Sequence, residues 1–196
     1  MSDVSAADVA EEENAEPAIT SLADEFWVFG YGSLLWKQGF PFRREAKARL
    51  EGYSRRLCIH SWRHRGTEEQ PGLVLGLEAG GACDGMAYLV DESDREDTIA
   101  YLRERELVTQ VYLERTLPVW LTEEGRQVTC LTYVVDATHP QYAKHVSVDD
   151  AVERIRSAKG IGGPNDEYVL NTVERLNEAG IHDDRLQAIA EQLRRA

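Results

Sequence analysis

The residue best suited to proton transfer in this sequence is Glu106, which falls on the apolar face of a predicted helix over 94–107. At about 100° per residue measured from Ile99, Leu102 lies at about 300° and Glu106 at about 340°. Glu104, at about 140°, points away to solvent. A carboxylate among apolar side chains is costly unless it is paired or used in chemistry. Such a wall would raise the pKa of Glu106 toward neutrality, where the group can both take and return a proton.

An ion pair is the competing interpretation of Glu106. The candidate partners are Arg55, Arg56 and Arg63 of the segment SRRLCIHSWRHRG, in which Arg65 is a fourth arginine within eleven residues. A solvated strand face is the usual explanation of such a cluster. In an acidic protein the alternative is a local basic patch that attracts a small anionic substrate.

A second candidate site is the segment FWVFGYGSLLW over 26–36, in which glycine and serine interrupt an apolar run. Gly30 and Gly32 weaken a strand interior, and glycine is favoured where the backbone turns sharply or approaches something closely. Two interpretations stay open: a bulge or tight bend at a corner of a sheet, or a loop whose backbone N–H groups contact a ligand. A dinucleotide-binding fingerprint is not supported, because Leu35 stands where a third glycine is needed and no clear helix follows.

Tyr168 is a third candidate, in the first turn of a predicted helix over 166–179 and just after the turn GIGGPN. Its direction is about 130° from the centre of the apolar stripe formed by Val169, Leu170, Val173 and Leu176. We therefore expect Tyr168 to lie off the core stripe and to be exposed, a position that indicates a site only in combination with other residues.

The elements that must position these residues follow from the apolar runs and turn signals. Seven strands are predicted, at 26–31, 46–52, 55–61, 73–78, 84–90, 113–121 and 127–135. Helices are predicted near 94–107, 148–158, 166–179 and 183–195. Ser93 and Glu96 form a capping box before the first helix, and the third has Asn165 as N-cap and Gly180 just past its end. This order predicts an α+β domain, a small β-barrel of about six to seven strands with flanking helices.

Composition limits the class of protein. A chain of 196 residues with 42% hydrophobic residues is long enough for one globular domain with a core. Residues 1–25 contribute eight acids and no Lys or Arg to the net charge of −13, so we interpret 1–25 as an acidic, disordered tail and 26–196 as the folded domain. Neither a secretory signal nor a membrane span is predicted, and the acidity argues against nucleic acid as a partner.

Cysteine and histidine usage indicates neither a disulfide framework nor a metal site. Cys58, Cys83 and Cys130 are far apart and odd in number, which is typical of reduced thiols in a cytoplasmic protein, where they serve as small core hydrophobes. His60 and His64 have i, i+4 spacing, but they fall in a strand and a loop, where that spacing does not converge on a metal.

Several segments occur together in a characteristic order: VFGYGSLLW, then YSRR and HRG, then RELV with Glu106 followed by Tyr112, then GPNDEYVL. In this order, over about residues 26 to 176, the chain resembles the ChaC-like, glutathione-specific γ-glutamylcyclotransferases. The resemblance implies a compact β-barrel with helices, a catalytic domain over 26–196, and a cytosolic enzyme that splits glutathione into 5-oxoproline and cysteinylglycine. By position, Glu106 resembles the catalytic acid/base and Tyr168 a substrate-contacting tyrosine. The residues that resemble the substrate-binding loop are Val28, Phe29, Gly30, Tyr31, Gly32 and Ser33.

The resemblance implies a ring closure in which the substrate's own α-amine attacks its γ-carbonyl, a scheme that requires no cofactor or metal. One departure is Gln110, which stands in RELVTQVY where the family usually has glycine. Two alternatives stay open: a cyclotransferase for other γ-glutamyl amino acids or γ-glutamylamines, and a non-catalytic binding or regulatory protein.

Overall fold

The computed structural model of the protein describes residues 25–195. The acidic tail predicted over 1–25 therefore lies outside the described residues except for its last residue. The Glu25 carboxylate accepts hydrogen bonds from the Trp27 indole at 3.0 Å and from the Arg126 guanidinium at 3.0 Å. This residue is thus attached to the folded domain.

Five strands form a closed barrel in the order β1-β3-β2-β4-β5. They are β1 Phe26–Gly30, β2 Arg44–Ser61, β3 Gly72–Val90, β4 Tyr112–Leu121 and β5 Arg126–Val135. The neighbouring strands are antiparallel except for β1 and β5, whose parallel pairing of Trp27 with Cys130 and Val28 with Leu131 closes the barrel. The predicted α+β class with a small β-barrel is confirmed.

The predicted strand boundaries are wrong in the first half of the barrel. The segments 46–52 and 55–61 belong to the single strand β2, and 73–78 and 84–90 belong to β3. Gly52 has a φ of +84° where the β2–β3 register shifts, so this glycine allows a bulge in a continuous strand instead of ending it. The predicted seven segments therefore form five barrel strands.

Four helices flank the barrel, in agreement with the predicted number. They are α1 Arg95–Glu106, α2 Val148–Ser157, α3 Asn165–Glu178 and α4 Asp184–Arg194. Two 3-10 turns cover Ser33–Leu35 and Glu92–Asp94, and a short hairpin joins β6 Lys159–Gly160 to β7 Gly163–Pro164. The barrel interior and α2, α3 and α4 share one apolar core.

Two of the three predicted helix caps are wrong. Ser93 lies inside the 3-10 turn that precedes α1, and no side chain caps that helix. Asn165 is the first residue of α3, and its buried amide instead bonds the backbone of Leu73, accepting from N–H at 2.7 Å and donating to C=O at 2.8 Å. Gly180 is confirmed as the residue past the end of α3, with a φ of +66° and its N–H bonded to the carbonyl of Asn177.

Cys58, Cys83 and Cys130 are free thiols in the core, as predicted for small hydrophobes. Burial raises the pKa of Cys58 to about 12, so this thiol stays protonated at neutral pH. Among residues 25–195, the helices are all too short or too polar to span a bilayer.

Candidate active site

Two adjoining cavities open beside the loop that follows β1. The outer cleft is a concavity of about 490 Å³ whose walls include Lys37, Trp62, Arg63, His64, Arg65, Glu104 and Val108. The inner pocket, of about 30 Å³, is lined by Tyr31, Gly32, Ser33, Leu34, Leu75, Glu106, Tyr112, Tyr133 and Tyr168. Four residues line both cavities and so mark the passage between them: Ser33, Glu106, Tyr112 and Tyr168.

Glu106 is the last residue of α1 and points into this passage, with 16% of its side chain exposed. Burial raises the pKa of its carboxyl above the ordinary value, and the Arg105 guanidinium, whose Nε lies 3.0 Å from Oε1, opposes that rise. Glu104 is exposed, as the helical period predicts, and lies on the rim of the outer cleft. The predicted ion-pair partners Arg55, Arg56 and Arg63 are wrong, because the partner is Arg105.

Arg105 joins the glutamate to the loop after β1. Besides contacting Glu106, its guanidinium donates to the Ser33 hydroxyl at 2.7 Å and to the Lys37 carbonyl at 2.6 Å. It also donates to the Tyr101 hydroxyl at 3.1 Å. The sequence could suggest only the neighbours of Arg105 on α1, Glu106 and Tyr101, because Lys37 and Ser33 lie 68 and 72 positions away in the chain.

The loop after β1 presents backbone donors to the inner pocket. A 3-10 turn starts at Ser33, and the N–H groups of Gly32, Ser33 and Leu34 have no hydrogen-bond acceptor in the part of the chain that the structure describes. Free backbone donors of this kind suit a carboxylate or a carbonyl oxygen. Of the predicted substrate loop, Tyr31, Gly32 and Ser33 line the inner pocket, whereas Val28, Phe29 and Gly30 lie in β1 behind it.

Gly30 and Gly32 are explained by different neighbours of the position that a Cβ would occupy. A Cβ at Gly30 would lie 3.0 Å from the Tyr88 ring and 3.1 Å from Leu34 Cβ, so Gly30 is required by packing. A Cβ at Gly32 would lie 3.3 Å from the Tyr168 hydroxyl, inside the pocket. Gly30 is thus explained by close packing inside β1, whereas ligand binding by the loop at Gly32 stays a prediction.

Three buried tyrosines surround Glu106, and burial raises the pKa of each, so that they are neutral phenols. Tyr31 donates to the carbonyl of Tyr133 at 2.9 Å, and Tyr112 donates to the carbonyl of Leu75 at 2.7 Å. Tyr168 instead accepts from the Leu75 N–H at 3.0 Å, which leaves its own proton available for donation.

The expectation that Tyr168 is exposed is wrong, since only 6% of it is accessible. α3 is covered on two sides: its apolar stripe packs with α2 and α4, while Tyr168 and Thr172 face β3 and the 3-10 turn after β1. A helical wheel identifies the stripe but does not show that a second face is also covered.

The predicted arginine cluster separates into two pairs. Arg55 is a buried structural residue that donates to the carbonyl of Tyr31 at 2.6 Å and pairs with Asp183 at 3.1 Å. Arg56 lies on the surface 3.9 Å from Glu78. Arg63 and Arg65 line the outer cleft, so half of the predicted basic patch is found there.

Gln110 lies in the loop between α1 and β4 and has a φ of +58°, in the left-handed region that favours glycine. The backbone at this position therefore has a conformation that glycine adopts easily, and Gln110 adopts it despite its Cβ.

The sequence is similar to a known protein family and to proteins of known activity. The family model described as ChaC-like protein matches residues 26–196. A glutathione-specific gamma-glutamylcyclotransferase of Escherichia coli (strain K12) is 33% identical over 163 residues, covering 82% of this chain and 69% of that protein. Gamma-glutamylcyclotransferase 2-3 of Arabidopsis thaliana is 34% identical over 176 residues, covering 86% of this chain and 88% of the relative.

A solved structure has the same fold. The crystal structure of a selenomethionine-labelled yeast γ-glutamyl cyclotransferase specific to glutathione superposes with a TM-score of 0.79 at 21% identity. The match covers 88% of this chain and 96% of the yeast chain, so the barrel and its helices are shared almost completely.

Proposed function

This chain belongs to the ChaC-like family, and from this membership and the inner pocket we propose that it is a glutathione-specific γ-glutamylcyclotransferase. The reaction cleaves glutathione into 5-oxoproline and cysteinylglycine. The observation that carries the proposal is the carboxylate of Glu106 at the passage between the small inner pocket and the larger outer cleft, with its pKa raised by burial.

The chemistry is intramolecular. The α-amine of the γ-glutamyl group attacks the γ-carbonyl carbon, a C–N bond forms, and the bond to the cysteinyl nitrogen breaks. Holding the substrate in a folded, near-attack pose supplies much of the acceleration, because no second molecule has to be recruited. No water is consumed in this scheme.

Glu106 acts as the proton carrier. The α-ammonium group has three hydrogens and the lactam nitrogen keeps one, so two protons leave it in total, and the second ends on the free cysteinyl amine as an ammonium. Before attack a base must remove the first proton, and the departing cysteinyl nitrogen must gain one. A carboxylate with a raised pKa can do both in sequence, because its protonated form is not strongly unfavourable. Arg105 keeps the carboxylate aimed at the passage through its contact with Oε1.

The loop and Tyr168 hold the γ-glutamyl group. The N–H groups of Gly32 and Ser33 bind its carboxylate and amide oxygens, and the free proton of Tyr168 donates to the γ-carbonyl oxygen as negative charge develops there. Val28, Phe29 and Gly30 support the loop from β1 through their strand pairing. Tyr31 contributes to the pocket wall.

We also propose a cytoplasmic location with a small-molecule substrate and no nucleic-acid partner. The three buried thiols are consistent with a reducing compartment, and the net charge of −13 disfavours binding to a polyanion.

The proposal is tested by a substrate panel. The purified protein is incubated with glutathione, γ-glutamylcysteine, other γ-glutamyl amino acids and a γ-glutamylamine, and 5-oxoproline release is quantified. We expect the highest kcat/KM with glutathione. A preference for another member of the panel would identify a sibling cyclotransferase, and binding of glutathione without any 5-oxoproline would indicate a non-catalytic protein.

A further inference from the structure

The outer cleft is basic in a protein that is strongly acidic. Its walls carry four permanently cationic side chains and two carboxylates, and the whole chain has a net charge of −13. The cations are Lys37, Arg63, Arg65 and Arg105, and the carboxylates are Glu104 and Glu106. A local excess of positive charge at a concave surface favours an anionic ligand.

The pKa of His64 responds to all four cations, so they lie around the same part of the cleft. Burial lowers the pKa of His64, and the charges of Arg63, Arg65, Arg105 and Lys37 lower it further. His64 is therefore neutral at physiological pH, and the cations that surround it come from three separate segments of the chain. Their convergence results from the fold, since a solvated face of one strand would place them along a line.

Three of these cations form no salt bridge with any carboxylate of residues 25–195. Among residues 25–195, Lys37, Arg63 and Arg65 form no salt bridge, whereas Arg105 contacts Glu106. Unpaired cations at the wall of a cavity are available to a ligand carboxylate.

Arg65 is held in place by contacts with the protein, unlike the exposed side chain of Arg63. Its Nη1 donates to the carbonyl of Pro164 at 2.8 Å, and its guanidinium lies 6.0 Å from the Trp36 ring centre and 5.7 Å from that of Tyr168. Burial lowers the pKa of Arg65, and the charges of Glu167 and Asp166 oppose that shift from beyond salt-bridge distance. Contact with Tyr168 places Arg65 at the passage between the two cavities.

We propose, on the basis of the proposed function, that the outer cleft binds the glycyl carboxylate of glutathione through Arg65, with Arg63 and Lys37 adding charge. When the γ-glutamyl group occupies the inner pocket, the cysteinylglycine portion extends through the passage into the outer cleft. At neutral pH its only charged group is the terminal carboxylate. γ-Glutamylamines lack this anion, and γ-glutamyl amino acids carry it one residue closer to the reacting carbonyl. The outer cleft therefore selects glutathione among γ-glutamyl compounds.

The test compares glutathione with glutathione whose glycyl carboxylate is amidated. Arg65→Gln should raise KM for glutathione about tenfold or more, as expected for loss of a hydrogen bond to a charged group, and should change KM for the amide less than twofold. Arg63→Gln, at an exposed side chain of the outer cleft, should raise KM for glutathione about two- to fivefold. The matched control is Arg115→Gln, which removes an exposed positive charge outside both cavities and should change neither KM.

Binding measured by calorimetry separates the subsite from catalysis. Glu106→Gln, with and without Arg65→Gln, is titrated with glutathione and with the amide, so the comparison does not depend on turnover. If Arg65→Gln weakens binding of glutathione but not of the amide, the subsite is supported. This holds even if the unmodified protein releases no 5-oxoproline and the proposed activity is refuted. An equal loss for both ligands would show that Arg65 acts only through its packing on Trp36 and Tyr168. Unchanged binding of both ligands after Arg65→Gln would also overturn the proposal.

Discussion

The inner pocket and the outer cleft are held by the fold in different ways. In the inner pocket, the hydroxyls of Tyr31, Tyr112 and Tyr168 are each hydrogen-bonded to the backbone of a strand, and all three residues lie among core side chains. In the outer cleft, Arg63 is exposed and makes no ion pair in the described chain, and Trp62 is 37% accessible. The inner pocket is thus tied to the barrel by these hydrogen bonds, whereas the cationic wall of the outer cleft at Arg63 and Arg65 lies in the loop between β2 and β3.

This difference corresponds to two requirements of the reaction. Ring closure depends on precise placement of an amine, a carbonyl and a proton carrier, which only a rigid pocket provides. Recognition of a distant carboxylate tolerates movement, because charge attraction acts over several ångströms. We therefore expect substitutions in the inner pocket to lower kcat and substitutions in the outer cleft to raise KM.

The largest effect is expected for Glu106→Gln. Glutamine keeps the shape of the side chain but cannot exchange a proton, so kcat should fall by about a hundredfold to ten-thousandfold. Burial raises the pKa of Glu106 above its ordinary value, so ionisation at neutral pH costs folding stability, and the variant should melt at an equal or higher temperature. Turnover, binding of a non-cyclising glutathione analogue and thermal melting are measured together.

The matched control for this variant is Glu96→Gln, an exposed glutamate of α1 that lines neither cavity. It removes one negative charge from the same helix and should leave turnover, analogue binding and the melting temperature unchanged. Glu104 lies on the rim of the outer cleft, and Glu104→Gln should leave kcat unaltered. If Glu106→Gln stays active, or if Glu104→Gln abolishes turnover in a folded protein, the assignment of the proton carrier is wrong.

Arg105→Gln should have an intermediate effect, on the pH profile as well as on rate. The Arg105 charge lowers the pKa of Glu106, so its removal should raise that pKa and move the acidic limb of kcat/KM to higher pH. Loss of the hydrogen bond to Ser33 should lower kcat about tenfold. A limb that stays in place or moves to lower pH would show that Arg105 does not act on Glu106.

A smaller effect is expected at Gln110, in the loop that leads from the outer cleft to β4. Gln110→Gly should hold or improve activity and raise the melting temperature by up to about 3 °C, since glycine relieves about 1 kcal/mol of left-handed strain and is partly offset by the entropy of the unfolded chain. Gln110→Ala keeps the strain and should give no increase. A large loss of activity in folded Gln110→Gly would assign a role to the glutamine side chain.

The smallest effect is expected for deletion of residues 1–20. This acidic segment has no aromatic residue and its apolar residues are mostly alanine, so we expect turnover on glutathione and the melting temperature both to stay nearly unchanged. A melting temperature lower by more than a few degrees would mean that this segment packs against the barrel.

The sequence predicted features that depend on local periodicity. The inward direction of Glu106 and the outward direction of Glu104 follow from helical spacing alone, and both were correct. The seven predicted segments fall on barrel strands, but the prediction divided β2 between 52 and 55 and β3 between 78 and 84, because a glycine with a positive φ serves both a turn and a bulge. Only the partner strand distinguishes the two.

Features that depend on non-local contacts were not predictable. Tyr168 was expected at the surface, yet β3 covers it through contacts between positions 93 residues apart. Arg55 and Arg65 look equivalent in the sequence, but one is a core residue bonded to Tyr31 and the other lines the outer cleft. No pattern along the chain separates them, because their environments are set by closure of the barrel.

The most direct measurement follows the fate of the γ-carbonyl carbon in water labelled with heavy oxygen. The account holds that the substrate's own amine attacks in the inner pocket, so the products should be unlabelled 5-oxoproline and an equal amount of cysteinylglycine by mass spectrometry. Attack by water would instead give glutamate that carries the heavy oxygen. Labelled glutamate as the main product would contradict intramolecular ring closure, whatever the contribution of Glu106 to the rate.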